Sequence, residues 1–261
     1  MTNPIDHNRR AWDKQSSEGQ SDWVQPVDAD TIAKARRGDW QIILTPLRPV
    51  PADWFGEFSG KDILCLASGG GQQAPVLAAA GGIVTSYDLS DAQLAKDRLV
   101  ADREGLDMAT IQGDMADLSC FEDACFDLIF HPISNVFAPD IVPVWQECHR
   151  VLRPGGRLLS GFMNPDFFIF DHLAIEDGAD IQPVFKIPYS DERDMDAGRL
   201  DAIIKEGVAL EYSHSLDAQI GGQIKAGFMI AGFFEDWWTG DATPLNRFMP
   251  TSMATLAIKP T

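Results

Sequence analysis

A glycine-rich turn, followed at a distance by an acidic residue, is the feature of this sequence best suited to chemistry. The apolar run 63–67 leads into Ser-Gly-Gly-Gly at 68–71, and a second apolar run, 83–87, ends in Asp88. Glycines let a backbone approach a ligand closely, and the unpaired N–H groups at a helix start attract its polar groups. A carboxylate at the end of the following strand can bind ribose hydroxyls. The pattern predicts a nucleotide-type cofactor site.

The balance of charges argues against several classes of partner. Among 261 residues, 39 Asp and Glu exceed 21 Lys and Arg, which gives a formal net charge of −18. Such a surface repels the phosphates of nucleic acids and anionic lipids, so we expect neither as a partner. The sequence has no apolar run of the roughly 20 residues that span a bilayer, and its first residues lack a basic segment followed by an apolar one. We expect a cytoplasmic protein; its oligomeric state is not predicted.

The four cysteines do not have the paired spacing of metal ligands. They are Cys65, Cys120, Cys125 and Cys148, most of them within apolar runs. Reduced thiols are the default in a cytoplasmic protein. We therefore expect neither a disulfide nor a zinc site, and no other metal site is predicted.

The elements that must position the turn alternate between strand-like and helical segments. Predicted strands lie at 63–67, 83–88, 108–112, 126–130 and 157–163, and the last two at 228–237 and 252–258. Ser90 and Gln93 form a capping box for a helix that ends near Glu104. Further helices are predicted at 72–80, 141–152 and 215–226. This alternation favours an α/β fold with a parallel sheet covered by helices on both faces.

Two other segments are predicted to cover the ligand edge of this sheet. Residues 1–60 carry four of the seven tryptophans, with short helices predicted at 8–12 and at 29–37, the second capped by Asp28 or Asp30. This N-terminal helical segment is either a lid over the ligand or a helix packed against the sheet. Residues 61–261 form the main domain. Within it, residues 164–210 are interpreted as an insertion over the ligand edge.

The order of five short motifs resembles the class I S-adenosylmethionine-dependent methyltransferases, particularly the small-molecule group called methyltransferase type 11. The motifs are ILCLASGGG at 63–71, YDLS at 87–90, GDM at 113–115, FDLI at 126–129 and RVLRPGGRL at 150–158. The resemblance implies a doubly wound, mostly parallel, seven-stranded Rossmann-like sheet that ends in an antiparallel hairpin. It also implies S-adenosylmethionine as cofactor, with S-adenosylhomocysteine as product, and methyl transfer to a small molecule by in-line displacement.

Matched position by position, the resemblance implies a cofactor site of nine residues. The methionine part would lie against Ala67, Ser68, Gly69 and Gly71, the ribose hydroxyls against Asp88 and the adenine against Leu89, Asp114 and Met115, with His131 near the sulfonium. Two positions depart from the family pattern. Cys65 stands where the family has an acid at the end of the first strand, and Ala67 replaces the first glycine of the turn. The missing acid removes one polar contact, so either cofactor binding is weaker or a residue of the N-terminal segment substitutes for it.

Methyl transfer requires the protein to align and desolvate a nucleophile, and it requires a general base only when the acceptor arrives protonated. His131 and His214 are the candidate bases. The alternative is that both are structural, the first in a loop and the second at a helix start. An apolar substrate pocket is expected from a group of aromatic residues that could also pack in the core: Trp40, Phe162, Phe167, Phe168 and Phe170.

The sequence leaves two other functions open. The loop after the fourth strand reads His-Pro-Ile-Ser and lacks the Asn-Pro-Pro-Tyr type of signature that accompanies amino-group methylation of bases and glutamine, which disfavours a nucleic acid or protein-amide acceptor. We expect a small, neutral or cationic acceptor. A glycine turn with a strand-end acid also fits an NAD-dependent oxidoreductase. The departures at Cys65 and Ala67 are compatible with a non-catalytic protein that binds S-adenosylmethionine.

Overall fold

Seven strands form one sheet at the centre of the protein, in a computed structural model that describes residues 3–19, 21–240 and 242–261. The strands are β1 (Asp62–Leu66), β2 (Ile83–Asp88), β3 (Met108–Gln112), β4 (Phe126–His131), β5 (Leu152–Met163), β6 (Met229–Asp236) and β7 (Ser252–Ile258). Their order is β3-β2-β1-β4-β5-β7-β6. The first five strands pair in parallel, whereas β7 is antiparallel to both β5 and β6. The predicted mostly parallel sheet with a C-terminal antiparallel hairpin is confirmed.

Helices cover both faces of this sheet. They are α1 (Pro4–Glu18), α2 (Ala29–Arg36), α3 (Ala52–Phe55), α4 (Gln73–Ala79), α5 (Asp91–Glu104), α6 (Val142–Val151), α7 (His172–Glu176), α8 (Asp191–Asp194), α9 (Ala197–Glu206) and α10 (Gly222–Ala226). Along β1, Ile63 and Cys65 pack in the core beneath α2 to α5, while Leu64 and Leu66 pack in the core beneath α6. A strand buried on both faces reads as a continuous apolar run, which is why β1 was visible in the sequence.

Local capping signals set the boundaries of several helices. The Oγ of Ser90 accepts a hydrogen bond from the N–H of Gln93, and α5 ends at Gly105 in the left-handed conformation. Asp28, one of the two predicted caps of α2, accepts from the N–H of Thr31. In the structure, the helix predicted at 8–12 is three times as long as expected, since α1 begins at Pro4 after the Asn3 cap and ends at Glu18. Its sequence is largely polar, so hydrophobic periodicity could not reveal its length.

The segment 164–210 forms a third apolar cluster beside the carboxyl end of β5. Phe167, Phe168 and Ile175 pack there with Tyr189 and Val136. Helices α7, α8 and α9 lie within this segment. No helix among the residues that the structure describes is long and apolar enough to cross a membrane.

The direction of chain connections reverses between β1 and β4. From β1 the chain continues to β2 and β3 on one side, and β4 lies on the other side of β1, followed by β5. In open parallel sheets such a reversal leaves a crevice at the carboxyl ends of the two strands, where ligands bind. The site is therefore expected beyond Leu66 of β1 and His131 of β4.

Candidate functional site

A cavity of about 430 Å³ opens at this crevice. Its volume lies in the range of small-molecule sites. The carboxyl ends of β1, β2 and β3 contribute Ala67, Ser68, Gly69, Asp88, Leu89, Asp114 and Met115 to its wall. The structure thus brings together, around one cavity, seven of the nine residues that the resemblance implied.

The glycine turn approaches the cavity with a strained first residue. Ala67 has a φ of +48°, in the left-handed region that costs an L-residue about 1–2 kcal/mol. The N–H of Gly69 donates to Oδ2 of Asp88 at 2.9 Å. A Cβ at Gly69 would lie 2.8 Å from the Cβ of Gln93 and 3.2 Å from that same carboxylate oxygen. The close approach of β2 to the turn therefore requires glycine at position 69.

Asp88 is held by backbone N–H groups on both carboxylate oxygens. Besides the bond from Gly69, Oδ1 accepts from the N–H of Ser90 at 2.9 Å. Burial raises the pKa of Asp88 to about 6, while the bonds from Ser90 and Gly69 oppose the rise by favouring the ionised form. The carboxylate is thus fixed at the cavity wall, with its remaining lone pairs free to accept from a ligand hydroxyl.

A second buried acid, Asp97 of α5, supports the turn from behind. Its Oδ1 accepts from the N–H of Gly71 at 2.7 Å, and its Oδ2 accepts from the Oγ of Ser86 at 2.6 Å. Burial raises the pKa of Asp97 to about 7. Burial also raises the pKa of the neighbouring Cys65 thiol, and the negative charge of Asp97 raises that pKa further. Asp97 thus places an acid beside the turn, near Cys65. This acid belongs to α5, whereas the substitute considered from the sequence was a residue of the N-terminal segment.

Three of the predicted site residues, Gly71, His131 and His214, do not line the cavity. Gly71 faces α5 and the N-terminal segment, where a Cβ would lie 2.9 Å from both the carbonyl oxygen of Lys96 and the Cβ of Pro26. His131 is fully buried, its Nδ1 lies 3.0 Å from the carbonyl oxygen of Leu66, and burial lowers its pKa to about 4.

His131 is the last residue of β4, and its side chain packs against α6 and does not line the cavity. Its ring meets the Trp145 ring of α6 edge to face, with centroids 6.0 Å apart. The Nε2 of His214 lies 2.9 Å from the carbonyl oxygen of Ala138 and 3.2 Å from that of Asn135, and burial lowers the pKa of His214. The structure therefore gives neither histidine the position that we expected of a base acting on the acceptor.

The segment 164–210, which we interpreted as an insertion, contributes to another part of the cavity wall, called here the insertion end. Phe167, Phe168, His172, Leu173 and Glu176 line it, together with Val208 and Glu211. Nε2 of His172 lies 3.9 Å from Oε2 of Glu211. Of the predicted aromatic pocket, Phe167 and Phe168 are confirmed as lining residues. Phe162 is buried in the sheet, and Trp40 packs against Phe55 and Phe58.

Helix α1 closes one side of the cavity. Its residues Ile5, Asn8, Trp12 and Gln15 contribute to the wall. Asn8 joins α1 to the insertion, since its Oδ1 accepts from the N–H of Leu210 at 2.7 Å and its Nδ2 donates to the carbonyl oxygen of Leu210 at 3.0 Å. The same Nδ2 donates to the carbonyl oxygen of Phe137. These contacts connect distant parts of the chain, so no local sequence pattern signals them.

The charges around the cavity all have one sign. Its described lining residues include four carboxylates, Asp88, Asp114, Glu176 and Glu211, and neither Lys nor Arg. A ligand carboxylate or phosphate would meet no cationic partner on this wall. The wall instead suits a ligand that is neutral or positively charged.

Comparisons with known proteins agree with this geometry. Residues 64–160 match the family profile described as a methyltransferase domain. A Bacillus subtilis protein named uncharacterized methyltransferase YbaJ is 45% identical over 255 residues, which cover 98% of each chain. An S-adenosylmethionine-dependent methyltransferase structure from Mesorhizobium loti aligns with a TM-score of 0.60 at 19% identity, covering 78% of this chain and 93% of that one.

A second solved structure resembles the whole chain in fold. It is a 1,6-didemethyltoxoflavin-N1-methyltransferase from Burkholderia thailandensis with bound 1,6-didemethyltoxoflavin and S-adenosylhomocysteine. The TM-score is 0.59 at 14% identity, and the alignment covers 100% of this chain and 92% of that one. At this identity the likeness concerns the fold, including the segments that flank the central sheet.

Proposed function

Because the chain belongs to the S-adenosylmethionine-dependent methyltransferases, we propose that it transfers the methyl group of this cofactor to a small-molecule acceptor bound in the cavity described above. The observation that carries the proposal is one cavity with two kinds of wall. The glycine turn, Asp88 and Asp114 form one part, and the phenylalanines of the insertion form another. A cofactor and an acceptor can therefore share the cavity.

The residues present fit the cofactor. Ser68 and Gly69 line the cavity, where Asp88 would accept from ribose hydroxyls and Asp114 from the adenine amino group. Leu89 and Met115 provide apolar surface for the adenine ring. When bound, the cofactor supplies a methyl group on a sulfonium, which is electrophilic enough for direct displacement. The protein then has to orient the acceptor and exclude water.

A small acceptor is supported by the enclosure of the cavity. Helix α1 and the insertion both contribute to its wall, and Asn8 links them. We propose that residues 1–60 and 164–210 act together as a lid over the main domain. The net charge of −18 disfavours nucleic acid as the acceptor. The Burkholderia thailandensis structure, with its bound 1,6-didemethyltoxoflavin, supports a small molecule on this fold.

Calorimetric titration of the purified protein with S-adenosylmethionine, S-adenosylhomocysteine and NAD tests the proposal. We expect micromolar binding of the two sulfur ligands, about −8 kcal/mol, and none of NAD. Asp88→Ala should weaken binding by about 1–3 kcal/mol because a ligand hydroxyl loses its acceptor. Asp107→Ala, at an exposed carboxylate, is the matched control. Binding of NAD alone, or equal affinities for Asp88→Ala and the unmodified protein, would contradict the proposal.

A further inference from the structure

Glu176 and Glu211 are two acidic side chains at the insertion end of the cavity that the cofactor-binding pattern does not use, and Glu211 is the one that lies beside His172. Its side chain retains 32% of its surface exposed and lines the cavity. Among the described residues, no lysine or arginine forms an ion pair with it. Because no lysine or arginine engages it, the Glu211 carboxyl group is available to a ligand in the cavity.

The backbone of Glu211 is fixed on both sides. Its N–H donates to Oδ2 of Asp191 at 2.8 Å, and its carbonyl oxygen accepts from the N–H of Asp191 at 3.1 Å. The next residue, Tyr212, forms an isolated bridge with Ser190, and its hydroxyl donates to Glu192. In extended backbone, successive side chains point in opposite directions. Tyr212 therefore turns away, and Glu211 faces the cavity.

The surroundings of the Glu211 carboxylate are aromatic on the cavity side. His172 lies 3.9 Å from it, and the His172 ring packs on Phe167 with centroids 5.0 Å apart. The start of α7 is anchored by Asp171, which accepts from Arg199 at 2.9 and 2.8 Å. Because Arg199 is engaged by Asp171, it does not neutralise Glu211.

We propose that Glu211 is the general base of the acceptor subsite and that the acceptor is an uncharged, largely apolar molecule presenting an O–H or N–H group. The inference rests on the proposed methyl transfer. The O–H or N–H bond of the acceptor breaks, and its proton goes to a carboxylate oxygen of Glu211. The acceptor atom forms a bond to the methyl carbon as the bond between that carbon and the cofactor sulfur breaks, leaving a neutral sulfide.

The surroundings of Glu211 raise the pKa of its carboxyl group, which makes the ionised carboxylate a stronger base. Burial, with the negative charges of Asp191 and Glu176, raises the pKa of Glu211 to about 8. His172 contributes no positive charge near neutral pH, because burial lowers its pKa to about 4. A base near this value is mostly protonated at neutral pH and becomes a proton acceptor as the pH rises through about 8. An anionic acceptor would be repelled by the ionised form.

Three naphthalene probes can test the base without knowledge of the natural acceptor. The protein is first saturated with S-adenosylhomocysteine and then titrated with 2-naphthol, with 2-methoxynaphthalene, which lacks the O–H, and with 2-naphthoate. We expect 2-naphthol to bind about fivefold or more tightly at about pH 8.5 than at about pH 6.5, because a hydrogen bond to an ionised carboxylate is stronger. Binding of 2-methoxynaphthalene should not gain with pH, and 2-naphthoate should bind more weakly than 2-naphthol.

Two variants isolate the side chain. Glu211→Gln should lose the pH-dependent gain for 2-naphthol, whereas Glu206→Gln, at an exposed position of α9, should retain it. The inference is overturned if 2-naphthol fails to bind, if its gain is absent or persists in Glu211→Gln, or if 2-naphthoate binds as tightly. Failure of the unmodified protein to bind S-adenosylhomocysteine would instead contradict the proposed function, on which this inference rests.

Discussion

Oδ1 of Asp97 accepts a hydrogen bond from the N–H of Gly71 at 2.7 Å, so a buried acid of α5 holds the glycine turn that follows β1. Its other oxygen accepts from Ser86 of β2. One carboxylate therefore joins the turn, the helix and the neighbouring strand. This arrangement accounts for how a chain with Cys65 near the end of β1 can keep the turn ordered.

Asp97→Ala should destabilise the protein by about 2–4 kcal/mol, because it leaves the Gly71 N–H and the Ser86 hydroxyl buried without a partner. The affinity for S-adenosylhomocysteine should fall as well, since the turn loses its support. Urea unfolding and calorimetry measure the two effects. Asp102→Ala, at an exposed position of the same helix, should change stability by no more than about 0.5 kcal/mol. Equal effects of the two substitutions would show that Asp97 does not support the turn.

The stability cost of the Asp97 charge should depend on pH. Burial raises the pKa of Asp97 from 3.8 to about 7. The folded protein therefore binds this proton more readily than the unfolded chain, and stability falls as the pH rises from about 4 to about 7. Asp97→Asn stays neutral, so its stability relative to the unmodified protein should improve across that window. Urea unfolding at several pH values measures the difference, and a difference independent of pH would contradict the prediction.

Ala67→Gly should stabilise the protein by about 0.5–1 kcal/mol. Relief of the left-handed φ of +48° is worth about 1–2 kcal/mol, and the greater freedom of glycine in the unfolded chain offsets part of it. Ala124, with a φ of +52°, is exposed and outside the cavity, so Ala124→Gly is the matched control for stability. Chemical denaturation should give similar gains for both variants. A loss of stability in Ala67→Gly would mean that the alanine methyl group makes a compensating contact.

His131→Ala should reduce stability and leave cofactor affinity nearly unchanged. The substitution empties a fully buried site beside Trp145 and removes the contact with Leu66, which we expect to cost about 2–4 kcal/mol. Because His131 is not on the cavity wall, S-adenosylhomocysteine affinity should stay within about twofold. Thermal unfolding and calorimetry test the two parts. A large loss of affinity without a loss of stability would instead show that His131 contributes to cofactor binding.

Asn8→Ala should loosen α1 from the rest of the lid, because three hydrogen bonds to Leu210 and Phe137 are lost. We expect faster hydrogen exchange in the amides of α1 and faster dissociation of S-adenosylhomocysteine. Arg10→Ala, at an exposed position of α1, serves as the control. If exchange accelerates but dissociation does not, α1 packs on the protein without covering the ligand.

The sequence by itself determined where the seven strands lie, the ends of several helices and the strand-end wall of the cavity. Buried strands such as β1 are continuous apolar runs, Ser90 and Gly105 carry local capping chemistry, and the turn before α4 requires glycine. These signals come from residues that are neighbours in the sequence, so they can be recognised without knowledge of the fold. The carboxyl ends of parallel strands meet at one edge, so strand-end residues such as Asp88 and Asp114 could be assigned to one site before the structure was known.

Only the tertiary structure decided which side chains reach the cavity from elsewhere. Asp97 meets Gly71, Glu211 approaches His172 and Asn8 binds Leu210 across long stretches of chain, and nothing in the local pattern of either partner indicates the contact. The orientation of His131 was likewise set by packing against α6. Local propensity and periodicity report the conformation of a segment. The proximity of distant side chains depends on how the assembled layers pack, which is why Phe167 and Phe168 were predicted at the cavity but His172 and Glu211 were not.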